Sequence, residues 1–266
     1  ILKNFPSIQM GYEMAVLSLN GKNSFELFPS KFTDGNESIP INGLIWMGEI
    51  DFMKAQIKQK IDEGFDCLKL KISALNFEKE LELLSEIRNE FSKDEMIIRV
   101  DANGGFSPDD VMDKLNKLAN LDIHSIEQPI KANQRKRMSS ICSKTPVPIA
   151  LDEELIGVFD PLDRESLLDQ VSPQYIILKP SLLGGFKSCE HWIELAEQRS
   201  IGWWVTSALE SNIGLNAIAQ WTYQLGITYH QGLGTGGLFS NNIDSPLQVK
   251  IGQLKFNINS CWNTKF

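Results

Sequence analysis

The chain has 266 residues, 42% hydrophobic and 23% charged, with a formal net charge of −8. That length suits one large domain, or a (β/α)8 barrel of about 250 residues with a small appendage. The acidic balance argues against nucleic acid or an anionic membrane surface as partner, and no apolar run approaches the roughly 20 residues of a membrane span.

Residues 6–19 read as one amphipathic helix, followed by a polar stretch over 20–40. From residue 41 onward, short apolar runs alternate with amphipathic ones. Strands are expected at 41–47, 67–72, 96–101, 123–127, 147–152, 175–179, 202–207 and 228–231. Helices are expected at 49–63, 76–91 with Asn76 as N-cap, from Ser107-Pro108-Asp109-Asp110 onward, and at 132–142, 161–169, 186–199 and 213–225. A further strand is expected at 251–258. Eight such units imply an α/β fold with a parallel sheet closed as a (β/α)8-type, TIM-like barrel. Residues 41–240 would form this catalytic barrel. Residues 1–40 would be part of an N-terminal α+β capping domain, helix plus linker, to which 241–266 returns. The first residue is Ile1 rather than Met, so the rest of that capping domain is expected to precede it.

Cys67, Cys142, Cys189 and Cys261 are scattered with no CxxC spacing. They read as reduced thiols, and the cytoplasm is the expected compartment. His124, His191 and His230 show no metal-ligand spacing.

Chemistry concentrates at the C-terminal ends of the expected strands, the face on which parallel barrels carry their reactive groups. Lys69 and Lys71 alternate with apolar residues in Cys67-Leu68-Lys69-Leu70-Lys71-Ile72, so both ammonium groups project to one side of the second strand. Asp101, Glu127 and Asp152 follow adjacent strands at intervals of 26 and 25 residues, about one βα unit each, and are expected to converge. Three gathered carboxylates repel unless a cation joins them. Mg2+ suits hard oxygen donors and keeps sites open for water or a substrate carboxylate, with Mn2+ as a substitute. Lys179 ends the sixth strand, so a bound small-molecule carboxylate would face an amine on each side. Asn103 and Glu153 are further polar residues at these strand ends. Ser181, Ser207 and Gly234 are candidate substrate contacts.

The stretches Leu68-Lys69-Leu70-Lys71, Arg99-Val100-Asp101-Ala102-Asn103, Ile126-Glu127-Gln128-Pro129, Ala150-Leu151-Asp152-Glu153 and Leu178-Lys179-Pro180 together resemble the enolase superfamily, muconate-lactonizing subgroup. Within it, 179–185 and 206–214 are most similar to the o-succinylbenzoate synthase family. The resemblance implies a Mg2+-dependent carbon–oxygen lyase of menaquinone biosynthesis. It would dehydrate 2-succinyl-6-hydroxy-2,4-cyclohexadiene-1-carboxylate to o-succinylbenzoate by syn elimination. Lys71 would be the base, Lys179 a cation over the other face, Lys69 an electrostatic aid, and Asp101, Glu127 and Asp152 the metal ligands, which Asn103 and Glu153 would support from behind. The same residues also suit an N-acylamino acid racemase or a muconate cycloisomerase-like enzyme. A Schiff-base aldolase using Lys179 leaves the three acids unexplained, as does a non-catalytic barrel. The dipeptide epimerases of this superfamily carry an Asp-x-Asp after the eighth strand. No acid lies between Gln231 and Asn242 here, which disfavours a cationic substrate end. The oligomeric state is not legible.

Overall fold

A computed structural model describes residues 2, 4–21 and 23–263. The chain forms two compact units, one of Gly43–Ile177 and Trp192–Trp203, the other of Ile1–Asn42, Leu178–His191 and Trp204–Phe266. In chain order the helices are α1 (Pro6–Asn20), α2 (Ile50–Asp62), α3 (Phe77–Glu90), α4 (Val111–Ala119), α5 (Arg135–Cys142), α6 (Pro161–Val171), α7 (Pro180–Leu183), α8 (Phe186–Glu197) and α9 (Asn212–Gln224). The strands are β1 (Ser38–Pro40), β2 (Gly43–Ile45), β3 (Cys67–Lys71), β4 (Ile97–Asp101), β5 (Ser125–Glu127), β6 (Ile149–Leu151), β7 (Tyr175–Leu178), β8 (Gly202–Val205), β9 (Leu247–Lys250) and β10 (Gln253–Phe256).

The sheet runs β2-β3-β4-β5-β6-β7-β8, in sequence order, and the registers from β2 to β7 are parallel. This is the α/β barrel order expected. Apart from the charged residues on β3, β4 and β5, its strands are rich in buried apolar side chains: Leu68, Leu70, Ile98, Val100, Ile126, Ile149, Leu151 and Ile176 are all buried. The covering helices form for local reasons. Asn76 accepts the Glu78 N–H at 3.0 Å and starts α3, whose Leu83, Leu84 and Ile87 face inward. Each such side chain stabilises by about 1.5–3 kcal/mol when fully buried. Asp160 caps α6 in the same way through Leu162 N–H, with Pro161 in the first turn.

Three expectations are corrected. No strand forms at 228–231 among the described residues; only parallel bridges Ile41↔Gln231 and Thr206↔Gly232 remain of an eighth strand. The reason lies in Gln231, whose side-chain Oε1 accepts the Val205 N–H at 2.7 Å, a place a ladder carbonyl would take. The helix after Ser107 begins only at Val111, because a turn over 108–110 comes first. The single strand expected at 251–258 is the second arm of a hairpin: β9 and β10 pair antiparallel, turning at Ile251 and Gly252, both at positive φ. With β1 they make a three-stranded sheet, order β1-β10-β9.

Cys67 and Cys142 are buried thiols, pushed up by that burial to about 11 and about 12. No helix among the described residues is long and apolar enough to cross a membrane.

Candidate active site

Strand pairing places the charges of the first unit side by side. Lys71 is in register with Asp101, and Asp101 with Glu127, so one row crosses β3, β4 and β5 at their C-terminal ends. Asp152 stands just beyond β6. All three carboxylates are buried, at 0%, 2% and 2% exposure for Asp101, Glu127 and Asp152. Alternation along β3 sends Lys69 to the same side as Lys71. Lys69 Nζ lies 3.0 Å from Asp101 Oδ2 and pairs closely with Glu127, while Lys71 Nζ also lies 3.0 Å from Asp101 Oδ2.

The electrostatics follow from this crowding. Burial opposes a charge on Lys69, but Asp101, Glu127 and Asp152 outweigh it and hold the ammonium well above its ordinary pKa. Burial likewise pushes Asp101 up, yet Lys69 and Lys71 pull it well below the usual carboxylate range. Burial and then the Asp152 charge push Glu153 up.

Asn103 joins the two sides of this cluster. Its backbone is left-handed, at φ 44, which lets its N–H donate back to Asp101 Oδ1 at 3.0 Å. Its side-chain oxygen accepts from Lys71 at 2.7 Å, and its amide donates to Glu153 Oε1 at 3.1 Å. Asn103 and Glu153 are thus brought to the lysine and the acids together.

The donor set suits a hard divalent cation. Three buried carboxylates supply oxygen ligands of the kind Mg2+ prefers, and the Lys69 ammonium already stands against two of them as a positive charge. Among the described residues, however, no three acidic, histidine or cysteine side chains are gathered as a ready cage around one point.

The other candidates lie in the second unit. Lys179 is half-buried at the N-terminal boundary of α7. Ser181 Oγ donates to Glu210 Oε1 at 2.5 Å, and its carbonyl accepts from Ser7 at 2.8 Å. Ser207 is buried and bonds Thr235 Oγ1 at 2.5 Å. Gly234 is exposed, beside that buried threonine.

Three residues escaped the sequence reading. Thr235 pairs with Ser207. Gln128 ties strand ends together, as described below. Trp46 lies beneath Lys71 Nζ, 5.8 Å from the ring centroid, and is itself held by Gln56, which bonds both its N–H and its carbonyl. Gln128 stood within the Ile126-Glu127-Gln128-Pro129 stretch without a role assigned to it, and Trp46 left a signal as a large aromatic at the end of the first expected strand.

Residues 52–257 match the family described as Enolase C-terminal domain-like. The chain is 54% identical over 250 residues to an o-succinylbenzoate synthase of Desulfotalea psychrophila, covering 94% of this chain and 68% of that protein. It is 30% identical over 175 residues to an L-amino acid-D/L-Glu epimerase of Francisella philomiragia, covering 65% of this chain and 48% of that protein. The crystal structure of MenC from Desulfotalea psychrophila LSv54 matches with a TM-score of 0.89 at 53% identity, covering 94% of this chain and 69% of that one. The chain therefore spans about two thirds of the synthase and about half of the epimerase. With the family match running from α2 to β10 over this arrangement of strand-end lysines and acids, the chain belongs to the enolase superfamily, among its muconate-lactonizing-type barrels.

Proposed function

We propose that this chain provides the barrel machinery of an o-succinylbenzoate synthase, a carbon–oxygen lyase of menaquinone biosynthesis. Its substrate would be 2-succinyl-6-hydroxy-2,4-cyclohexadiene-1-carboxylate. The observation that carries the reading is 54% identity to a synthase across 94% of the chain, with Lys69, Lys71, Asp101 and Glu127 in one cluster.

Lys71 Nζ takes the proton alpha to the ring carboxylate and returns one to the departing hydroxyl on the same face, which makes the elimination syn. Asp101 and Asn103 accept from that nitrogen and Trp46 lies under it, so its position is defined before substrate arrives; such pre-orientation is a large part of enzymatic rate. Lys69 balances the acids and favours binding of an anionic substrate. Lys179 would be a further cation that stabilises negative charge on the substrate. Asp101, Glu127 and Asp152 would hold Mg2+, or Mn2+ in its place, which when bound stabilises charge building on the substrate carboxylate. Ser181, Ser207 and Gly234 would be substrate contacts. The partner is a small carboxylate and the compartment the cytoplasm.

Following aromatic product absorbance with the cyclohexadiene as substrate tests this. Turnover that needs a divalent cation and falls at least about 100-fold in Lys71→Ala is expected, the scale of one general acid–base group. Racemisation of an N-acylamino acid, with no aromatic product from the cyclohexadiene, would assign the alternative chemistry.

A further inference from the structure

Beneath the acid cluster lies a side chain that the chemistry above does not use. Gln128 follows Glu127 directly, is wholly buried, and has a left-handed backbone at φ 37, a conformation a non-glycine residue keeps only where its surroundings hold it there. Every polar group it carries is engaged. Its side-chain Oε1 accepts the backbone N–H of Asp152 at 3.3 Å and of Glu154 at 3.2 Å. Its amide nitrogen donates to the Ile130 carbonyl at 3.0 Å and to Glu154 Oε2 at 3.4 Å. Its backbone N–H donates to the Ala150 carbonyl at 2.9 Å, and its carbonyl accepts the Gly104 N–H at 2.6 Å. One residue therefore joins the ends of β4, β5 and β6, the three strands that carry Asp101, Glu127 and Asp152.

Resting on the metal-holding role proposed above, we infer that Gln128 is a positioning residue for the divalent cation: it clamps Asp152 to the Glu127 strand end and so sets the spacing of two ligands. Asp152 is the ligand that most needs this, since it lies past the end of β6, where ladder hydrogen bonds no longer fix the backbone. Residues that orient metal ligands from behind commonly matter about 10- to 100-fold in affinity.

Mn2+ affinity, measured by electron paramagnetic resonance of the free ion, gives a readout independent of turnover. Gln128→Met keeps the volume and removes every side-chain hydrogen bond. It should weaken Mn2+ binding at least about tenfold. Gln174→Ala is the control: Gln174 accepts the Ile149 N–H at 2.9 Å, at the opposite end of the same β6 strand. It should lower the melting temperature without changing Mn2+ affinity. Should Gln128→Met fail to fold, Gln128→Asn, too short by one methylene to reach Asp152, carries the same expectation. Unchanged Mn2+ binding in the clamp variants, or an equal loss in Gln174→Ala, overturns the inference. A wild-type protein that binds no Mn2+ at all sinks the metal reading itself, and the clamp with it, an outcome distinct from either.

Discussion

Replacing Lys69 by methionine removes the ammonium that Asp101 and Glu127 share while keeping an apolar stem of similar length. The three side chains are 12%, 1% and 3% exposed, so water cannot take over the lost contact cheaply. Deleting one member of a pair buried to this degree costs about 3–5 kcal/mol, because a charge is left uncompensated. Asp101 retains Lys71 at 3.0 Å, which points to the lower end, about 3 kcal/mol. In a protein of this size about 1 kcal/mol moves the thermal midpoint by roughly 2–4 °C, giving a fall of about 6–12 °C. A divalent cation supplies the missing charge; at about 100 times its dissociation constant it would restore about 2.7 kcal/mol. Unfolding is followed by far-ultraviolet circular dichroism for both proteins, once with EDTA and once with excess Mg2+. A variant within about 0.5 kcal/mol of wild type in EDTA, on the scale of an ordinary surface substitution, would refute the reasoning that this lysine holds the acids together.

Other consequences can be checked away from the acid cluster. Glu80 is buried and accepts the N–H groups of Ser73 at 3.0 Å and Leu75 at 3.1 Å, and burial raises its pKa. A carboxyl with a raised folded pKa contributes fully below its unfolded value of about 4.3 and loses that contribution as pH climbs through the folded one. The stability advantage of wild type over Glu80→Gln should therefore shrink as pH rises above about 4.3; urea midpoints that diverge in the opposite sense would contradict this. Glu13 on α1 accepts the Phe186 N–H at 2.7 Å and so caps α8. Its replacement by alanine should cost about 1 kcal/mol in chemical denaturation. Gly185→Ala should cost more, because φ is 91 there and a Cβ would lie 2.5 Å from Glu13 Oε2. The double variant should cost less than the two single losses together, since the clash needs the carboxylate; strict additivity would show that the two residues do not meet.

Legibility divided along a physical line. Periodicity alone places Lys69 and Lys71 on one side of a strand, because side chains in an extended chain alternate, and the repeat of about one βα unit puts Asp101, Glu127 and Asp152 at neighbouring strand ends. Local capping is equally readable: Asn76 starts α3 as expected. These signals live within a few residues of one another. The false strand at 228–231 and the late start of the helix after Ser107 show their limit, since residues at the expected spacing and capping residues occur without the hydrogen bonds that define an element.

What only the folded chain decides is which polar groups find each other across long separations. Asn103 reaches Glu153 and Lys71, Gln128 reaches Asp152 and Glu154, and Lys71 comes to rest over Trp46. The left-handed backbone of Gln128 is held by those bonds, since glutamine, unlike asparagine, has no marked local preference for that region. The order of chemical groups along the barrel is thus a property of spacing, set by strand and helix geometry. Their orientation is a property of packing, because buried donors and acceptors must be satisfied by whatever the rest of the chain brings within reach.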